Sequence, residues 1–581
     1  MKTKNFPQPP KQSGSALLMT LIMCGAALAI LAAAMAWSES STRLTHRVIQ
    51  YDVSVAGAEA ATEKVLSQVT RDYMYGSESL VIANLGLYRN TVPTAADSHY
   101  WSTWVFDDGN GNVGQTYVQR DASSGGYVAL NPIYAGLNGF VSTYTLVAHA
   151  EDTASVQEVN AGVYEQLQLA GIPIFQFAMY SSGDMEISCG QPFAVTGPVH
   201  SNGSLYVEPD SALTFQSGVT AVVSNVFARE ALDTRPPPSG TVVYEQPQLK
   251  LAPVQALTLP IGVSNSPQAV REIIEPPPAG ESPNSQLGRL RYYNLCDLVV
   301  VAADTGTTAT SGEFNSFLTQ VPTNELATFV SVAASFWDAR EGKTVRPVDI
   351  NVGALVAWNL TNTSLRPLLL GSNLTSVYVK DLRNLTAANL GAVRVFNGLQ
   401  LPPKGLTVAT GRPLYVWGDY NEYNTLNLGT TNTSTTLPAS LVADAVTVLS
   451  DNWSDGNSTA ALSSRAAAST TVNAALLTGA VDTTLGYYSG GMENFPRFLE
   501  SWGLANVFTY NGSMIKMFPS LYATNVWGQT NVYDPPTRNW SYDANFNDPT
   551  QIPPKTPSLQ QVIRTQWAEV TPGQDTPPAA P

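Results

Sequence analysis

The sequence predicts three parts in order: a long N-terminal transmembrane α-helix, an α+β head built on the far half of that helix, and a β-rich, β-solenoid-like passenger domain. Three observations predict this. Ser15 to Trp37 is a run of 23 residues without a charge or a proline, enough to cross a bilayer core as a helix. Apolar residues then recur at three- and four-residue steps to about Tyr75, and no proline occurs between Ser15 and Pro93. The chain of 581 residues is only 13% charged and holds 43 Gly and 39 Pro, which favours strands and turns in an extracytoplasmic protein.

The apolar run sets the topology. Lys2, Lys4 and Lys11 precede it and no acidic residue comes before Glu39. The short N-terminus therefore stays in the cytoplasm and the remainder is sent across the membrane. Residues 38–76 extend the helix as a stalk. Leu44, Val48, Tyr51, Val55, Ala58, Thr62, Val65, Val69 and Tyr73 lie along one face, and Gly76 is the expected C-cap. The whole helix is roughly 60 residues, on the order of 90 Å long. Small residues midway, Ala58 and Thr62, argue for a helix laid on a sheet rather than a free coiled coil.

Two processing sites compete. Ala32-Ala33-Ala34-Met35-Ala36 mimics a signal-peptidase site at the end of the run. The other lies in front of it, at Gly14-Ser15. A short basic leader (1–14), a glycine and an uncleaved apolar helix (15–37) resemble the class III signal of type IV prepilins. Gly14-Ser15-Ala16-Leu17-Leu18 is similar to the start of PilX-type and type II secretion K-type minor pilins. Three later segments, 489–502, 510–513 and 533–540, resemble large PilX-like proteins, as does Val199-His200-Ser201-Asn202-Gly203. The resemblance implies cleavage between Gly14 and Ser15 by a prepilin peptidase. It also implies a filament of other minor and major pilins built on an inner-membrane assembly platform. In most pilins the fifth mature residue is a glutamate that pairs with the N-terminal amine of the subunit ahead. That position is Met19 here, a departure shared by K-type tip subunits.

Net charge is -15, which argues against nucleic acid as a partner. Of the three cysteines, Cys24 lies in the apolar run, so Cys189 and Cys296 are the candidate disulfide, worth about 3–4 kcal/mol if formed. Two buried free thiols are the equal alternative.

Residues 77–170 form the pilin-like α+β region, with alternating strands expected at 101–106, 117–120, 144–150 and 162–169. Asp108-x-Asn110-x-Asn112 begins like a calcium loop. It carries Val113 where glycine is needed and Gln119 at the twelfth position, so a turn is expected. Residues 171–460 hold short strands at about ten-residue spacing, the pattern of stacked solenoid rungs, with a helical insertion expected at 310–341. His200 and Ser201 are adjacent on a strand and point to opposite sides, so they are no base–nucleophile pair. The proline clusters at 235–240 and 275–283 read as surface loops interrupting the rungs. Asp304-Thr305-Gly306 resembles an aspartic-protease signature, but no second copy supplies the partner carboxylate. Gly342-Lys343-Thr344 lacks the leading glycine of a phosphate loop, Trp337 standing there. Residues 461–560 are expected to cap the passenger and 561–581 to be a disordered proline-rich tail.

The functional expectation is a minor pilin or pseudopilin with no enzymatic activity and no cofactor or metal, single-pass in the inner membrane with its head extracytoplasmic. It would stand at the filament tip and prime assembly. The alternative is an adhesin whose Trp417, Tyr420, Tyr423, Trp453 and Tyr510 stack on surface glycans. A polysaccharide-cleaving enzyme is least supported, since no row of carboxylates with Arg or Lys is evident.

Overall fold

The computed structural model describes residues 15–130, 134–314, 320–367, 369 and 373–570. One helix, α1 (Ser15–Tyr75), runs unbroken for 61 residues, and the Gly76 amide donates to the Asp72 carbonyl at 3.0 Å at its end. The expected stripe is buried only from Val55 onward. Leu44 and Val48 remain exposed, and so does every residue from Ser15 to Ile49.

The distal half of α1 lies on an antiparallel sheet. Its strands are β1 (Trp104–Asp107), β2 (Tyr117–Arg120), β3 (Gly126–Ala129), β4 (Asn138–Asp152) and β5 (Ala161–Pro173). A sixth strand comes from the other end of the chain: Ser558–Val570 pairs along β5, from Ser558 opposite Pro173 to Val570 opposite Gly162. Val65, Val69 and Tyr73 of α1 pack with Tyr144, Leu146, Leu167 and Leu169. Val55, Ala58 and Ala61 pack with Trp104, Phe106 and Val163. Fully burying side chains such as Val65 and Val69 contributes roughly 1.5–3 kcal/mol each. Residues 561–570 are thus the edge strand of the head sheet rather than a tail, because Val562 and Ile563 bury apolar surface and their backbone pairs with β5. Residues 571–581 lie outside the described residues.

Everything between β5 and that last strand is an insertion into the head sheet. From Met179 the chain winds in turns of 20 residues: Met179 pairs parallel with Val199 and Val199 with Val219. Met185 pairs with Leu205, and Phe193 with Leu213, in two further ladders. The climb ends at Lys250–Leu251. Residues 252–297 then cross to the opposite edge. From Leu298 the chain returns by parallel pairing through Ser376–Asp381, Leu406–Thr410, Ala439–Ala443 and Ala475–Ala480 to Met514–Pro519. There Met514 pairs with Met179 and closes the two halves into one 11-stranded sheet. A 10-stranded sheet faces it, and Val, Leu and Phe from both fill the space between. Strands at 470–473, 475–480, 507–512 and 514–519 belong to these sheets, so the ladders run on through the region expected to be a cap.

Of the helical insertion expected at 310–341, residues 315–319 lie outside the described residues, and the described ones form other structure. Thr323–Leu326 makes one turn, while Val330–Ser331 and Phe336–Asp338 pair antiparallel with Lys343–Asn351. Burial of Phe336 against Val345 and of Val330 beside Ile350 outweighs the local helical periodicity. The helix of this region is Val352–Thr361, capped by the Asn351 side chain, which accepts from the Ala354 amide at 3.0 Å.

Candidate functional site

One feature able to act on other molecules is α1, whose two halves meet different surroundings. Its first half is long and apolar enough to cross a membrane, and none of that stretch is covered by the rest of the chain. Ser15 opens the helix, and Gly14 lies outside the described residues. Met19 stands 66% exposed on this bare surface. The first charges after the run, Glu39 and Arg43, pair with each other one turn apart in full exposure.

The second half is pinned to the head. The Ser54 hydroxyl donates to the Val159 carbonyl at 2.7 Å, Tyr51 donates to Glu569 at 3.0 Å, and Arg564 pairs with Glu63. Thr62 donates to the buried Glu165 carboxyl at 3.2 Å. Burial holds that carboxyl above the usual range. Gly57 lets the Trp104 ring press on the helix, where an added Cβ would fall 2.2 Å from the ring.

The other residues singled out by sequence have structural duties. Cys189 and Cys296 are free thiols buried in two different hydrophobic clusters, so the disulfide does not form. Burial pushes the Cys189 thiol up to about 12. The Asp108 carboxylate accepts the Asn110 and Asn112 amides and the Asn112 side chain at 2.8–3.0 Å, which closes its own turn. Among the described residues no group of three or more His, Cys, Asp or Glu is placed to hold a metal. Asp304 sits in the hairpin between Leu298–Ala303 and Gly306–Ser311, accepting the Asn384 amide. Of the five aromatics considered for glycan stacking, Tyr420, Trp453 and Tyr510 are core and Trp417 is half-buried under Arg394. Tyr423 alone is exposed, at 60%.

His200 is a core histidine. Its Nδ1 meets the Thr220 hydroxyl at 2.8 Å, its Nε2 meets Asn202 Oδ1 at 2.9 Å, and its ring stacks on Tyr180. Burial lowers its pKa from 6.5 to about 4. Between those values the unfolded chain binds the extra proton, so this contribution is complete above pH 6.5 and is lost as pH falls toward 4. The loss is about 3 kcal/mol at about 1.4 kcal/mol per pH unit. Urea unfolding at pH 7 and pH 4 should show a drop in the wild type exceeding that of His200→Gln by about this amount. Equal drops would remove His200 from the acid response.

Charged networks that sequence reasoning missed knit the insertion together. Glu208 takes Arg229 and Arg235, Arg394 takes Asp349 and Asp455, and Arg497 takes Glu341. Asp444 takes Arg271 across 173 residues of sequence. No local signal marks such pairs.

No known protein family matches the chain, and no curated protein does either. Among solved structures, the chain is similar to the competence-associated pilin ComZ from Thermus thermophilus, at 10% identity over 90% of this chain and 97% of that one, with a TM-score of 0.27. A likeness so slight carries no argument about fold or role, and the functional reading rests on α1 and the sheet it crosses.

Proposed function

We propose that the chain is a minor pilin or pseudopilin of the PilX or K type, placed at the tip of a type IV pilus or type II secretion-like filament. On this reading a prepilin peptidase cuts between Gly14 and Ser15. The run Ser15–Trp37 holds the subunit in the inner membrane with its head outside. The assembly platform then passes it to other minor and major pilins. The observation that carries the reading is α1, one continuous helix that is bare and apolar in its first half and sheet-packed in its second. A bare apolar surface of that length needs lipid or neighbouring helices to cover it. Met19 supports the tip position, because a carboxylate without an amine to meet costs several kcal/mol in lipid, and an apolar residue avoids that cost. The 20-residue register of the first ladders supports reading the insertion as a β-solenoid displayed by the head.

Replacing Gly14 with leucine tests the reading. It should leave an uncleaved precursor, whereas mass spectrometry of the wild type should find Ser15 as the first residue. Deleting the gene should lower filament number without changing filament diameter, and gold-labelled antibody should mark filament ends. A mature N-terminus after Ala36, or gold spread along the shafts, would sink it.

A further inference from the structure

Where the insertion joins the head, a cleft of about 700 Å³ opens between the face of the sheet and the segments around Arg289 and Lys555. Its floor is one cross-strand row. Tyr127 pairs with Phe140, Phe140 with Gly171 and Gly171 with Gln560, so all four lie on the same face of four adjacent strands. Gly171 makes a notch in that row. A Cβ there would meet nothing closer than 3.8 Å, and the Tyr73 hydroxyl lies 3.9 Å from the position.

The two sides of the notch differ in chemistry. On one side the Tyr127 and Phe140 rings sit 5.0 Å apart, with Phe140 53% exposed. On the other, Gln560 is only 6% exposed and its Oε1 has no hydrogen-bond partner. Turning the carboxamide over would leave its nitrogen unpaired instead. The Tyr73 side chain is 5% exposed. At the rim, Arg289 is exposed and forms no ion pair among the described residues, and Lys555 lies 3.3 Å from Asp297. Arg120 is already taken by Glu78 and Ser142. Of these three cations only Arg289 lacks a carboxylate partner among the described residues, and it stands out in a chain of net charge -15.

We propose that this cleft binds an acidic saccharide. One sugar ring lies over Phe140 in the Gly171 notch, its hydroxyls meet Tyr73 and Gln560, and its carboxylate meets Arg289. At Phe140 and Gly171 an extended peptide finds no free backbone for strand addition, because β4 and β5 are paired along both edges. The site belongs to the head and does not depend on the filament reading.

Titration calorimetry of the full chain in detergent micelles, with trigalacturonate as the probe, tests this. Gly171→Val fills the notch, its Cβ meeting nothing closer than 3.8 Å, and should weaken binding at least about tenfold, as should Phe140→Ala. Arg289→Gln, at an exposed position, should weaken it by about tenfold while leaving the unfolding curve unchanged. Neutral maltotriose should bind far more weakly. No binding of trigalacturonate by the wild type overturns the proposal, and so does equal binding of maltotriose. Unchanged affinity in both Gly171→Val and Arg289→Gln overturns it too, as does tighter binding of a single-stranded DNA dodecamer that the same variants abolish.

Discussion

Replacing Asp444 with alanine is expected to destabilise the insertion by about 3–5 kcal/mol, the cost of removing one partner from a buried ion pair. Asp444 is 0% exposed. It follows the strand Ala439–Ala443 and gathers three parts of the chain. Its carboxylate accepts from Arg271 Nη1 at 2.8 Å. It also accepts the backbone N–H groups of Leu521, Tyr522 and Ala523 at 2.6, 3.0 and 2.9 Å. Arg271 belongs to the segment that crosses between the two edges of the long sheet, and 521–523 follow the strand that closes it. Alanine strands three backbone amides, that of Ala523 buried, and leaves Arg271 with Glu275 as its carboxylate partner, at 2.9 Å. Asparagine retains one acceptor oxygen, so Asp444→Asn should cost less. Chemical denaturation of both variants checks the order. A loss below about 1 kcal/mol in the alanine variant would show that the junction does not depend on this carboxylate.

Placing leucine at Gly57 is expected to pull the head off its helix locally. The Cβ alone falls 2.2 Å from the Trp104 ring. That ring cannot swing aside freely, since Trp101 and Phe106 lie 5.3 and 6.2 Å away. Overpacking of this kind costs about 1–3 kcal/mol, well beyond the ~0.5–1 kcal/mol a helix gains by losing an interior glycine. Tryptophan fluorescence should shift to the red and β1 should become protease-sensitive. Gly25→Leu is the control, because nothing lies within 4 Å of a Cβ at Gly25. Equal behaviour of the two variants would mean that Trp104 does not fix the helix to the sheet.

Features that depend on neighbours a few residues apart can be read along the chain. The uncharged run from Ser15 to Trp37 and the stripe through Val55, Val65 and Tyr73 specify α1, because helix hydrogen bonds and face periodicity are local. β1, β2, β4 and β5 are legible for the same reason, alternation, although β1 starts only at Trp104, β4 and β5 run longer at both ends than expected, and β3 gave no such signal. The return of Ser558–Val570 to β5 emerges only on folding. Pairing across almost 400 residues leaves no trace in a local pattern. Folding likewise makes strands of 330–331 and 336–338, where a helix is expected, since Val330 and Phe336 find buried partners on Lys343–Asn351 that a periodicity count cannot see. Arg271 with Asp444, and the Phe140–Gly171–Gln560 row, are of that kind. Each residue looks ordinary in its own stretch, and its role comes from what folding brings against it.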